Sequence, residues 1–309
     1  MTEPLAPAPW RVHAPEACAA FDRVEALVDA AAPPTVLGAV RRAVAGALAN
    51  PEELDRHPAH PTIDPDADDA RIPACVAFAE QFVIDVAAID DEQRGALGAA
   101  MGDATFPFAA ALYVTDVFQR ARIALARVFD RPWDAQPAAV PGDGTELWPA
   151  LEEFMRVVAR GDALDPLTTE LIRLRGARLH QCRVCQSRLS VRAVDAAGST
   201  EAFDALDDYE RADFTPRHKA ALRLTDAVVT QPAFIDDDLV ADLRARLLDA
   251  EIVEVVLDVT RNAANKIAVA LGGDAPVVEE GFEWFDLDAS GEVVASVEIE
   301  VVRLATIIT

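Results

Sequence analysis

Apolar residues recur along most of this chain at three- and four-residue spacing, the period of one helix face. The longest such run, Ile252 to Leu271, predicts a helix that stops at a Gly272-Gly273 cap. Asp165-Pro166 and Thr215-Pro216 each read as a capping side chain followed by proline at the first helical position. Asp236 to Asp238 put negative charge at the start of a helix running through Leu239, Leu243 and Leu247. Two stretches read as loops: His57 to Pro73, with scattered Pro and Asp, and Arg131 to Pro149, rich in Pro and Gly. The second marks the expected domain boundary. After Pro276 the period changes. Phe282 to Leu287, a turn over Asp288 to Gly291, and Val293 onward predict a β-hairpin, with Val297, Ile299 and Val301 alternating against Ser296, Glu298 and Glu300. An apolar hairpin needs cover, from its own helices or from a neighbouring subunit.

The two halves pattern alike. An offset of 146 residues pairs Cys75–Leu125 with Ala221–Leu271 without a gap, with 11 identities in 51 positions. Ile89-Asp90-Asp91 then falls on Ile235-Asp236-Asp237, and Ala124-Leu125 on Ala270-Leu271. Val36 and Ala39 fall on Cys182 and Cys185, so a first copy would carry no thiol pair. The expected architecture is all-α, with helical repeats over residues 1–140 and 141–275 and a hairpin extension over 276–309.

A chain of 309 residues is long enough to bury a sizeable core. Its net charge of −25 weighs against nucleic acid and against an anionic membrane surface, since phosphate binding needs clustered Lys and Arg. Four cysteines at this length are no disulfide framework, and Cys18 and Cys75 read as small buried hydrophobes. Met1 to Trp10 lacks the basic and apolar regions of a secretory signal, and no uncharged apolar run approaches the roughly 20 residues of a membrane helix. The expected setting is a reducing cytoplasm, where a CxxC pair is redox-active or metal-binding before it is structural.

That pair is Cys182 and Cys185, with Glu170 twelve positions upstream. One continuous helix would hold Glu170 and Cys182 about 18 Å apart. A break at His180-Gln181, with a new helix from Cys182, would fold the two segments together. Glu170 could then serve as general base, and the helix N-terminus would favour the thiolate. Zinc is not expected: His180 would be a third ligand with no fourth. Neither metal nor organic cofactor is required. Arg173, Arg175, Arg178, Arg183, Arg188 and Arg192 form a basic run, read as a salt-bridged surface or as a positive field on the thiols. His57 and His60 with Asp64, Asp66 and Asp68 fail the calcium-loop pattern, because Asp69 stands at the turn glycine and Cys75 at the closing glutamate. They read as a solvated loop. Asn262 and Asn265, one turn apart, read as buried amides bonded to neighbouring helices or as site-lining groups; His218 reads as exposed.

The segment from Glu170 to Cys185 resembles the alkylhydroperoxidase D and carboxymuconolactone decarboxylase family, whose redox members carry E-x11-C-x2-C-x3-H. The likeness extends through Phe214 to Leu224 and Asn262 to Leu271, covering residues 147–273 directly and 20–130 through the internal repeat. It implies an all-helical fold of AhpD-like repeats and associating subunits. It also implies a peroxidase cycle in which Cys185 attacks a hydroperoxide, Cys182 resolves it, and an external dithiol protein or small thiol restores both. The family histidine is Leu189 in this chain, and His180 is the candidate replacement in a proton relay. A decarboxylase-like lyase, or a non-catalytic helical assembly with vestigial thiols, are the alternatives that Leu189 leaves open.

Overall fold

The computed structural model describes residues 7–56, 69–133 and 146–295. The fold is all-α apart from one small sheet. Its helices begin where the sequence supplies caps. Asp165 accepts the Thr168 N–H at 2.9 Å, Thr215 accepts the His218 N–H at 3.2 Å and Asp236 accepts the Leu239 N–H at 2.8 Å. Each such cap stabilises its helix by about 1 kcal/mol.

Both halves feed one apolar core, in which Trp10, Phe21, Phe78 and Phe118 meet Phe154, Val228, Ile252 and Val256. The two halves also run through the same elements at the 146-residue offset. Helix Ile72–Ile84 corresponds to Pro216–Thr230, the short turn Val86–Ala88 to Pro232–Phe234, and Asp91–Met101 to Asp237–Arg246. Asp90 and Asp236 cap the last pair in the same way.

Three buried charges join the halves. Asp116 accepts from Arg120 Nε at 2.7 Å and from Lys266 Nζ at 2.5 Å. Arg120 also donates to the carbonyls of Val83 and Val229, at the ends of the corresponding helices Ile72–Ile84 and Pro216–Thr230. Buried charges are tolerated when they are paired and hydrogen-bonded in this way.

Two expectations need correction. The helix expected over Ile252–Leu271 is two helices, Asp249–Asn262 and Asn265–Ala270. At the joint, tighter bonds from Lys266 N–H to the Ala263 carbonyl and from Ile267 N–H to that of Ala264 replace the helical ones. Gly272 ends the second helix at φ 72°, as the Gly-Gly pair predicts. The hairpin forms, with Glu283–Leu287 (β2) antiparallel to Val293–Ala295 (β3), but a third strand, Arg188–Ser190 (β1), pairs in parallel with β2. The chain's own polypeptide thus supplies part of the cover that the hairpin requires.

The stretch Asp91–Phe129 is long and apolar enough, by length and composition, to cross a membrane. It is interrupted at Gly102, with φ 52°, and Phe108, Leu112 and Phe118 along it are core side chains. The His57–Asp68 cluster, part of the expected boundary loop (134–145) and the alternation from Ser296 to Val301 lie outside the described residues.

Candidate thiol site

The chain breaks where the spacing requires. Helix Pro166–Leu179 ends at His180, Gln181 takes φ 51°, and Cys182 caps the four-residue helix Arg183–Gln186. This turn folds the second segment back beside the first. The Cys185 N–H then points at Cys182 Sγ, 3.4 Å away. Cys182 is fully buried and Cys185 partly exposed, and both are free thiols.

Glu170 and Cys185 are connected through an arginine. Arg173 Nε and Nη2 each lie 2.7 Å from one carboxylate oxygen of Glu170. The same guanidinium donates to the Cys185 carbonyl at 2.9 Å and to the Arg188 carbonyl at 2.7 Å. Glu170 Oε1 also accepts the Ser190 N–H at 3.1 Å. The glutamate is buried and its two oxygens are committed to these donors. The i, i+3 spacing of Glu170 and Arg173 on one helix signals this pair in the sequence.

The helix start offers one of its three amides to a thiol. Asp274 Oδ2 accepts the Arg183 N–H and the Asp274 carbonyl accepts the Val184 N–H, each at 2.9 Å. The third amide is the one facing Cys182 Sγ. What lowers Cys185, to about 7, is first the hydrogen bond from the Cys182 thiol. The Arg173 guanidinium, the Asn265 side chain and Arg188 add to it, against the effect of burial. Cys182 is pushed up, because it donates to its neighbour and because it is buried. One thiol is therefore poised to be a nucleophile while the other keeps its proton.

His180 is buried, and its Nδ1 lies 2.9 Å from Asn265 Oδ1. Burial, with Lys266 adding to it, pushes the imidazole down to about 3 and leaves it neutral at ordinary pH. Leu189 sits on β1 in a separate apolar cluster with Leu171, Phe203 and Leu206, while Cys182 belongs to the main core. The six arginines of the basic run are all paired, in order, with Glu170, Asp226, Asp207, Asp274, Glu283 and Asp286. Both readings of that run hold, since paired Arg173 and Arg188 still lower Cys185. Asn265 bonds a neighbouring segment as expected, whereas Asn262 Nδ2 has no partner. His218 is half-buried, not exposed. Cys18 and Cys75 are buried in the core. The larger clefts, about 500 Å³ beside Arg122 and Trp133 and about 360 Å³ beside Arg160 and Glu254, are lined by none of the thiol-site residues.

No profile of a known protein family matches the chain, and no solved structure matches it. Two proteins of Mycobacterium tuberculosis do, "Uncharacterized protein MT2376" of strain CDC 1551 / Oshkosh and "Uncharacterized protein Rv2313c" of strain ATCC 25618 / H37Rv. Each is 40% identical over 223 residues, which is 70% of this chain and 78% of the relative. The chain belongs to the family of these mycobacterial proteins.

Proposed function

We propose that this protein is a thiol-dependent peroxidase of the alkylhydroperoxidase D type, acting in the reducing cytoplasm without metal or organic cofactor. The observation that carries the reading is the division of labour between the two thiols. Cys185 is partly exposed and lowered to about 7, while buried Cys182 is raised and one turn away.

The Cys185 thiolate attacks the outer oxygen of a hydroperoxide. The O–O bond breaks, the alkoxide takes a proton and leaves as the alcohol, and Cys185 becomes a sulfenic acid. The Cys182 thiol condenses with it, releasing water and forming the Cys182–Cys185 disulfide. An external dithiol, a protein or a small molecule, then reduces that disulfide and is itself oxidised. The bonding of Glu170 supports a role for it in holding Arg173 against the Cys185 backbone, in place of direct proton abstraction. His180, bonded to Asn265, is the candidate replacement for the family histidine in a proton relay. Subunit association, implied by the resemblance, belongs to the same reading.

The test is a thiol count on the fully reduced protein before and after stoichiometric cumene hydroperoxide. Two thiols lost, with the disulfide mapped by mass to Cys182 and Cys185, is the expected result. Thiols that survive the peroxide unchanged overturn it. Activity on a lactone that persists in the Cys182→Ser, Cys185→Ser double variant would move the protein to the lyases.

A further inference from the structure

We propose that the first half keeps the counterpart of the thiol site in a different chemical form, as a binding site for a small primary amine carried as its ammonium ion. This second site lies beyond the peroxidase reading and does not depend on it.

The two halves share a turn. Helix Pro34–Ala47 and helix Pro166–Leu179 each begin with proline and run for 14 residues. Ala49 and Gln181, two residues past their ends, both take φ 51°. The Asn50 N–H then donates to the Ala45 carbonyl and the Cys182 N–H to the Ala177 carbonyl, each at 2.9 Å. Beyond the turn, Asn50 Oδ1 accepts the Glu53 N–H at 3.3 Å, just as Cys182 Sγ accepts that of Cys185 at 3.4 Å. Over this segment the halves match at an offset of 132 residues, not 146. Asn50 and Glu53 therefore stand where the two cysteines stand, and Arg41 where Arg173 stands. From helix Ile72–Ile84 onward the offset of 146 holds, and it sets Gln119 against Asn265.

A cavity of about 240 Å³ lies at this place, with Glu25, Arg41, Glu53, Thr115, Gln119 and Arg122 in its wall. Drug-sized ligands occupy roughly 300–1,000 Å³, so its occupant is small. The wall is short of donors. Gln119 is 1% exposed, and its Oε1 has no hydrogen-bond partner. Rotation about its last side-chain bond presents that oxygen to the cavity. Thr115 Oγ1 donates to the Ala111 carbonyl at 2.8 Å, which leaves only its lone pairs for a ligand.

The wall is short of positive charge as well. Arg122 is bonded to Glu25 and lies 3.9 Å from Glu53, while Arg41 is held by Asp29 at 2.6 Å. Even with Arg122 beside it, Glu25 is raised above the ordinary carboxylate value, by burial first, with Asp22 and Glu53 adding to it. A cation carrying several N–H groups answers both shortages. It donates to the amide carbonyl and the hydroxyl, and its charge offsets the carboxylates. An ammonium group on a short apolar stem is the simplest molecule of that kind.

The test is calorimetric titration of the full-length protein with n-butylammonium chloride at constant ionic strength. Saturable binding of one equivalent is expected, with a Kd of about 1 mM or tighter. Tetramethylammonium has the charge without the N–H groups, and butyrate has the opposite charge; each should bind about tenfold more weakly or worse. Gln119→Leu and Glu25→Gln should each weaken n-butylammonium by about tenfold or more. If Gln119→Leu fails to fold by circular dichroism, Gln119→Met and Thr115→Val carry the same comparison. No saturable heat up to about 50 mM overturns the proposal. So does butyrate or tetramethylammonium binding as tightly as the amine, or an unchanged Kd in the folded Gln119 and Glu25 variants. The Cys182→Ser, Cys185→Ser double variant should bind n-butylammonium as the parent does, and loss of binding there would also overturn it. A failed thiol count with saturable amine binding would sink the peroxidase reading alone.

Discussion

The Arg173 guanidinium carbon lies 5.1 Å from the centre of the Phe285 ring. The contact ties the C-terminal sheet to the thiol site, because the same guanidinium holds Glu170 and the backbone carbonyls of Cys185 and Arg188. Phe285 is itself buried. Phe285→Ala removes both its packing and a cation–π contact, and should destabilise the protein by about 2–4 kcal/mol. Urea denaturation checks this. An unchanged unfolding midpoint would mean that β2 does not seal Arg173.

Arg173 is the hub of the site, and lysine cannot replace it. An ammonium has no planar fork with which to grip both oxygens of Glu170 while donating to two carbonyls. Arg173→Lys should leave part of that buried carboxylate unpaired and cost about 2–4 kcal/mol. It should also raise the alkylation midpoint of Cys185, since the positive charge retreats from the sulfur. A variant with full stability and an unmoved midpoint would refute the assignment.

The helices were readable because their signals are local. Proline behind Asp165 or Thr215 and the cap at Asp236 act within four residues, and the structure starts helices at each. The break after His180 was readable by a distance argument, since no continuous helix lets Glu170 approach the cysteines. The joint at Ala263-Ala264 was not readable, because alanine is the best helix former and nothing nearby interrupts the apolar period. Strand β1 was equally hidden. Three residues make no period, and Leu189 is drawn into a strand by a partner about 95 positions away, Trp284. Asn265 showed itself only as an amide in an apolar helix; its partner His180 lies 85 positions upstream. What the sequence missed is long-range pairing, which local chemistry does not encode.

His180 should make the protein sensitive to acid. Its folded value of about 3 lies below the ordinary 6.5. Between these values the unfolded chain binds a proton that the native state refuses, so stability falls as pH drops through that window. The full effect is a few kcal/mol. Thermal melts between pH 7 and pH 4 should show a steeper loss for the parent than for His180→Gln, which has nothing to protonate. Parallel curves would show that the imidazole is not held neutral.

Asp258 should act at the other end of the scale. Burial pushes it up to about 7, and its Oδ2 has no hydrogen-bond partner. The nearby Arg261 opposes the shift without cancelling it. An unfolded aspartate ionises near 3.9, so from about pH 4 to 7 the unfolded state sheds a proton that the folded state keeps. Stability therefore declines as pH rises across that interval and levels off above it, by up to about 4 kcal/mol. Asp258→Asn removes the ionisation and keeps the shape. The variant should match the parent near pH 4, gain on it steadily toward pH 7 and stay ahead at pH 8, by roughly 1–3 kcal/mol in urea titrations. A constant difference at every pH would mean that Asp258 is ionised in the native protein, and the cost of its burial would then have to be met by Arg261.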